Sequence, residues 1–173
     1  NPFAVSLTGG AYSQNFDALA STGSTGSAMP TDWTFSETGG SAPTTYSVGT
    51  GSLSTGDTWS FGVAGVNPVT DRALGSFASN TVTQIIFGAS FVNSTGGQIN
   101  SLAIAYIAEQ WRNNGNVSHQ KYDFSISFDA TSLTTGTWQD VNALDLVSTI
   151  ATATPTTLDG NAAANRTAIS STI

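Results

Sequence analysis

In the segment KYDFSISFDA, Tyr122, Phe124, Ile126 and Phe128 fall on one face, and Asp123, Ser125, Ser127 and Asp129 fall on the other. Four alternations without a fault predict an antiparallel strand with one dry and one wet side. In INSLAIAYIAEQWR, Leu102, Ile104 and Tyr106 point one way, and Ala103, Ala105, Ile107, Glu109 and Trp111 the other. Both faces are mostly apolar, which predicts a central strand covered on each side. TQIIFGASFV reads as a further long strand, bent at Gly88. At the start of the chain, Phe3, Val5 and Leu7 alternate with Ala4, Ser6 and Thr8 in a short strand of the same kind.

The first half offers the shorter strands YSQNF, DWTFSE, TTYSV, TWSFG and RALGSF. Turn chemistry separates them in STGSTGS, ETGGSAP, GTGSLSTGD, VNPVTD and NSTGG. ALDLV fits a strand or a single turn, and no segment keeps a helical repeat beyond two turns. Short strands with glycine-rich turns at this spacing predict an all-β fold, an antiparallel β-sandwich of jelly-roll-like type. Residues 11–173 are expected to form the sandwich, with residues 1–10 as an N-terminal strand.

Composition narrows the partners. Only 9% of the residues are charged, against roughly 25% in an average soluble domain, so the surface is one of hydroxyls and amides. The net charge is -7, and Arg72, Arg112, Lys121 and Arg166 are the whole basic complement. That set cannot neutralise several phosphates, which argues against nucleic acid, and it disfavours anionic membrane surfaces equally. No apolar run approaches the ~20 residues of a membrane helix, so membrane insertion is not expected. There is no cysteine and hence no disulfide or thiolate chemistry. Sequons stand at Asn93, Asn116 and Asn165, at a frequency that chance explains in a chain this rich in Asn, Ser and Thr.

Catalytic groups are sparse. His119 is the single histidine, in the polar loop NNGNVSHQK without a G-x-S-x-G segment, and reads as a solvated side chain. A glycosidase would need two carboxyls across a scissile bond. Glu109 beside Trp111 is the best candidate and Glu37 is the other glutamate, but a structural pairing of Glu109 with Arg112 or Arg72 explains it more simply. Calcium takes hard oxygen ligands, and QDVNALD places Asp140, Asn142 and Asp145 in one short loop, with Asp159 and Asn161 in LDGN. Ordinary Asx turns are the competing and weightier reading of those residues. Trp33, Trp59, Trp111 and Trp138 offer flat faces for sugar rings, although each sits among apolar strand positions that equally suit a core. Threonine-rich stretches such as TSLTTGT lack the regular repeat that an ice-binding array requires.

The succession AYSQNFDALASTG, MPTDWTFSETG, TYSVGTGSLSTGDTWSFG, DRALG, AEQWR, FDATSLTTGTWQDVNALDL and LDGNAAANRTAIS resembles a module of secreted and surface proteins of cyanobacteria and planctomycetes. The likeness runs from about Ala11 to Ile173, and the module looks related to the jelly-roll domains of bacterial adhesins. It implies an extracellular, cell-surface location and no settled activity. In some of those jelly rolls an acidic residue after an early Phe helps to hold a structural Ca2+, a position that corresponds to Asp17 in QNFDAL. The family pattern continues past AISSTI with an aromatic-rich strand and a run of aspartates, which the present sequence does not include. The resemblance therefore implies an open sheet edge.

NPFAVSL suits the filling of such an edge. Burying Phe3, Val5 and Leu7 contributes roughly 4–8 kcal/mol at about 1.5–3 kcal/mol per side chain. The expectation is a non-catalytic structural or adhesive module that self-associates or joins neighbouring domains, with these three residues as a donor strand in a fibre. The plainer alternative is that residues 3–7 are the first strand of their own sandwich. A carbohydrate-binding module is the second function class, with a glycan partner, and a glycosidase the third.

Overall fold

The structure, a computed structural model, describes residues 4–39, 43–63 and 70–173. Phe3 and parts of the ETGGSAP and VNPVTD turns lie outside these residues. The fold is all-β. Strands pair mostly antiparallel into small sheets that do not close into a barrel, as expected for the β-sandwich class. Two 3-10 turns, Asn142–Leu144 and Ala163–Asn165, are the helical segments among the described residues. Two compact units divide the chain, Asn1–Ile99 and Asn100–Ile173, at a point where composition does not change.

The first unit contains β1 (Val5–Leu7), β2 (Thr25–Gly26), β3 (Trp33–Gly39), β4 (Tyr46–Gly49), β5 (Asp57–Phe61), β6 (Ala73–Phe77), β7 (Val82–Ala89) and β8 (Phe91–Asn93). A four-stranded sheet runs in the order β2-β4-β5-β6, with β4 and β5 parallel and the other pairs antiparallel. All five residues of β5 are buried. Trp59 stacks on Phe61 with ring centroids 5.6 Å apart, and Phe61 meets Phe77 edge-on at 6.2 Å. Gly49 permits this packing, since a Cβ there would lie 2.7 Å from the Trp59 ring. β3 pairs antiparallel with β7 from Trp33 opposite Ala89, with a bulge at Thr38/Gly39. Phe35 of β3 packs edge-on against Tyr46 of β4, so the two sheets meet through their apolar faces.

The long TQIIFGASFV strand breaks at Ser90, not Gly88. β7 ends at Ala89, and β8 then pairs parallel with β1. The Ser90 carbonyl accepts the Val5 N–H at 2.8 Å, which turns the chain to its new partner. The YSQNF strand is absent. Gln14 Oε1 accepts the Phe16 N–H and Asn15 Oδ1 accepts the Asp17 N–H, so local side-chain bonds replace a ladder. Phe16 adopts φ 64°, and its ring packs edge-on against Trp33.

The second unit contains β9 (Ala103–Glu109), β10 (Arg112–Asn113), β11 (Lys121–Tyr122), β12 (Ser125–Ile126), β13 (Gln139–Asp140), β14 (Leu146–Val147), β15 (Thr156–Thr157) and β16 (Arg166–Thr172). β9 and β16 form a seven-residue antiparallel ribbon, while β10–β15, β11–β14 and β12–β13 are short antiparallel pairs. Among the described residues of this unit, β9 has cover on one face. Ala103, Ala105 and Ile107 face solvent together with Ala168 across the ribbon, and Ile107 is 52% exposed. On the other face Tyr106 stacks on Phe124 and donates its hydroxyl to the carbonyl of the fully buried Leu144. Trp111 is buried against Gly160, where a Cβ would sit 2.3 Å from the ring.

The KYDFSISFD strand is interrupted at Phe124. The 3-10 turn Asn142–Leu144 intervenes between the partners β13 and β14, so Phe124 N–H bonds to the Asp145 carboxylate and Phe124 O accepts from Val141 N. The dry face accordingly fades, and Phe128 is 83% exposed. ALDLV turns out to be both candidates in sequence, a turn followed by β14.

Tyr46 is fully buried, and its hydroxyl donates to Ala28 O at 2.8 Å and accepts from Ala20 N at 3.0 Å. Tyr46→Phe keeps the ring but removes the partner of the Ala28 carbonyl and the Ala20 N–H. It is expected to lower unfolding stability by about 0.5–1.5 kcal/mol in urea titration; a value near zero would mean that water replaces the hydroxyl.

Candidate functional site

The densest group of charged side chains lies where β11 meets β14. The register Lys121 opposite Val147 and Tyr122 opposite Leu146 carries the next residue, Asp123, toward Asp145. β13 delivers Asp140 beside Ser125. Asp123, Asp140 and Asp145 each offer one oxygen, and these oxygens lie within 4.8 Å of one another. Lys121 Nζ sits 2.5 Å from Asp123 Oδ1 and 3.0 Å from Asp145 Oδ2.

Asp145 is the anchor of the group. Its side chain is only 7% exposed, and it accepts the Phe124 N–H at 2.9 Å as well as the Lys121 ammonium. The Phe124 N–H, and after it Lys121, hold the Asp145 carboxyl below the usual carboxylate range. Asp123 and Asp145 together raise the Lys121 ammonium. Three carboxylates against one ammonium leave net negative charge at one spot. The all-oxygen donor set suits a hard divalent cation, which would compete with Lys121.

Of the residues expected to hold calcium, Asp140 and Asp145 are thus brought together. Asn142 lies in the 3-10 turn between them and accepts the Asp145 N–H through its backbone carbonyl. Asp17 belongs to the first unit, where it accepts from Asn15 Nδ2 at 2.8 Å and from the Arg72 N–H at 3.2 Å. Asp123 was not singled out in the sequence. Its place in the i, i+2 pair with Lys121 on the wet face of a strand was the available signal.

The four tryptophans part company. Trp59 and Trp111 are buried at 2% and 4% exposure. Trp33 is half-buried, with its Nε1 donating to the Tyr12 hydroxyl at 2.8 Å. Trp138 alone of the four is exposed, at 40%, and its Nε1 donates to Thr135 O. Glu109 pairs with Arg166 at 2.8 Å and accepts from Trp111 Nε1. The antiparallel register sets Arg166 directly opposite Glu109, a relation that only the fold reveals. His119 Nδ1 lies 2.5 Å from Ser148 O, so the ring is tied to the β14 end of the unit although its residue is exposed.

Val5 and Leu7 stand in β1, paired with Phe91 and Asn93 of β8; Phe3 lies outside the described residues. Val5 is buried, Leu7 half-buried, and Ser6 Oγ donates to Ser94 Oγ at 2.6 Å. Phe91 and Val92 of β8 are 48% and 47% exposed. No helix among the described residues is long and apolar enough to cross a membrane.

Asp145 is depressed in the folded state, so its stabilising effect is complete above the ordinary value of 3.8 and is lost as pH falls through the folded one. Asp145→Asn is expected to lower the Tm at pH 6 and to flatten its decline below pH 4. A variant that melts like the parent at both pH values would show that the cluster carries no stability. Comparison of the chain with known protein families, with curated proteins and with solved structures finds no match in any of the three.

Proposed function

We propose that this chain is a non-catalytic structural or adhesive β-sandwich module of a bacterial exterior protein, and that copies of it assemble by exchanging β1. The location rests on the resemblance to secreted surface modules, and it accords with a hydroxyl- and amide-rich surface of low charge.

The β1–β8 pair supports the exchange most directly. It is a two-stranded parallel ladder of three residues, isolated from the other sheets of its unit. Parallel pairing is the slightly weaker kind, and a two-stranded unit is marginal on its own. The apolar contribution of Val5 and Leu7 is about 1.5–3 kcal/mol each if fully buried, and it is the same whichever copy supplies them. After β1 come Gly9 at φ +94° and Gly10, where an added Cβ would meet nothing within 4 Å. A linker free of packing can redirect a strand to a neighbour at small cost, and swapping an identical element creates no new interface chemistry. Passed from copy to copy, β1 generates an open, head-to-tail series.

The chain lacks cysteine, which makes a covalent test clean. The hydroxyls of Ser6 and Ser94 touch across the exchanged pair. The double variant Ser6→Cys with Ser94→Cys, oxidised at high concentration, is expected to give a ladder of cross-linked chains on a non-reducing gel. A single intramolecularly linked band at every concentration would contradict exchange.

A further inference from the structure

Glu37 of β3 and Asp57 of β5 bring two carboxyls together inside the first unit. Each group commits one oxygen to donors. Glu37 Oε1 accepts both the N–H and the hydroxyl of Thr58 at 2.6 Å, and Asp57 Oδ2 accepts the Ser47 hydroxyl at 2.5 Å. The remaining oxygens, Glu37 Oε2 and Asp57 Oδ1, are buried and meet no N–H or O–H donor. Asp57 as a residue is only 9% exposed. Two ionised carboxylates so placed would leave two buried acceptors unmatched and repel each other. A proton on Asp57 turns that carboxyl into a donor for the Glu37 side chain beside it.

We infer that buried Asp57 keeps a proton against Glu37, and that losing it makes the first unit less stable as the solution turns from acid to neutral. The surroundings favour a proton over a metal ion. Calcium would require six to eight oxygens, whereas the nearby hydroxyls of Ser47 and Thr58 already donate to the carboxylates. The neighbouring elements present little other charge. β6 places Phe77 opposite Asp57, β7 places Ile85 opposite Glu37, and the Tyr46 hydroxyl of β4 is turned to Ala28 O. The buried Arg72 guanidinium is bound at the other end of β5, to Ser60 and the Gly49 carbonyl.

Burial raises the Asp57 carboxyl to about 6; the Ser47 hydroxyl opposes the rise and Glu37 adds to it. The folded chain therefore keeps the proton up to about pH 6, while the unfolded chain releases it near 3.8. The associated stability is complete below that lower value, is lost as pH rises to about 6, and stays lost above it. This is opposite in sign to the effect of Asp145, and it is independent of strand exchange.

The test is a carbon-13 NMR titration of the side-chain carboxyls in the intact protein, which needs no variant. Asp57 is expected to titrate with a midpoint near pH 6. The Tm should fall by at least ~5 °C between pH 4.5 and 7. Asp57→Asn, whose amide can donate to Glu37 Oε2 at any pH, should remove most of that fall. An Asp57 carboxyl that titrates near pH 4, with a flat Tm, would overturn the inference. So would millimolar Ca2+ that shifts the Asp57 carboxyl resonance at pH 7, since a cation would then occupy the place assigned to the proton.

Discussion

The first unit is organised around one constraint, a strand that is buried along its whole length although three of its five side chains are polar. In β5, Asp57, Thr58 and Ser60 are buried together with Trp59 and Phe61. Buried polar groups require partners, and the partners chosen tie distant segments to this strand. Thr58 engages Glu37 of the opposing sheet, and Asp57 engages Ser47 of β4. Ser60 donates to Ala20 O while accepting from the Arg72 guanidinium. Tyr46 then holds the same QNFDALA loop through Ala20 N. Trp59 and Phe61 supply apolar contact, but the hydroxyls and carboxyls of β5 decide which loop and which strand lie against it.

The second unit solves a similar problem with amides. Gln110 bonds Ile150 through both ends of its side chain, donating to the carbonyl and accepting from the N–H. The buried Asn113 donates to Thr152 and Thr154, and Asn165 donates to Asp159 O. These bonds fix long irregular segments to the ends of β9 and β16 where ladders run for only two residues. The polar composition is thus a structural material in its own right, and the small number of charges follows from it. The charges that remain are gathered in a few places, among them the Lys121 cluster and the Glu109–Arg166 pair.

Much of this architecture was legible in the alternation of residue types. Period-two patterns located β3, β4, β5, β6, β7 and β9, because a pleated strand between an apolar and a polar surroundings must alternate. Pairing was less legible. The change of partner at Phe124 depends on a turn eighteen residues downstream, and the isolation of the β9–β16 ribbon leaves the Ala103, Ala105 and Ile107 face open despite its apolar character. The sites divide in the same way. Asp140 and Asp145 were found because they are close in sequence; Asp123 joined them only through the β11–β14 register. Glu37 and Asp57 are twenty residues apart and belong to different sheets, so nothing local marks them as a pair. Trp59 and Trp111 look like Trp138 in the sequence, and burial alone separates them.

Function is carried in this account by a short parallel pair of strands, β1 with β8, set against a sheet whose centre is fully buried. The most direct measurement is the mass of the purified chain by light scattering across a range of concentrations, with and without residues 1–8. The account predicts a mass above 17.7 kDa that grows with concentration and returns to that of one chain when the segment is removed. A single species of 17.7 kDa at every concentration would contradict it and would leave β1 as a strand of its own unit alone.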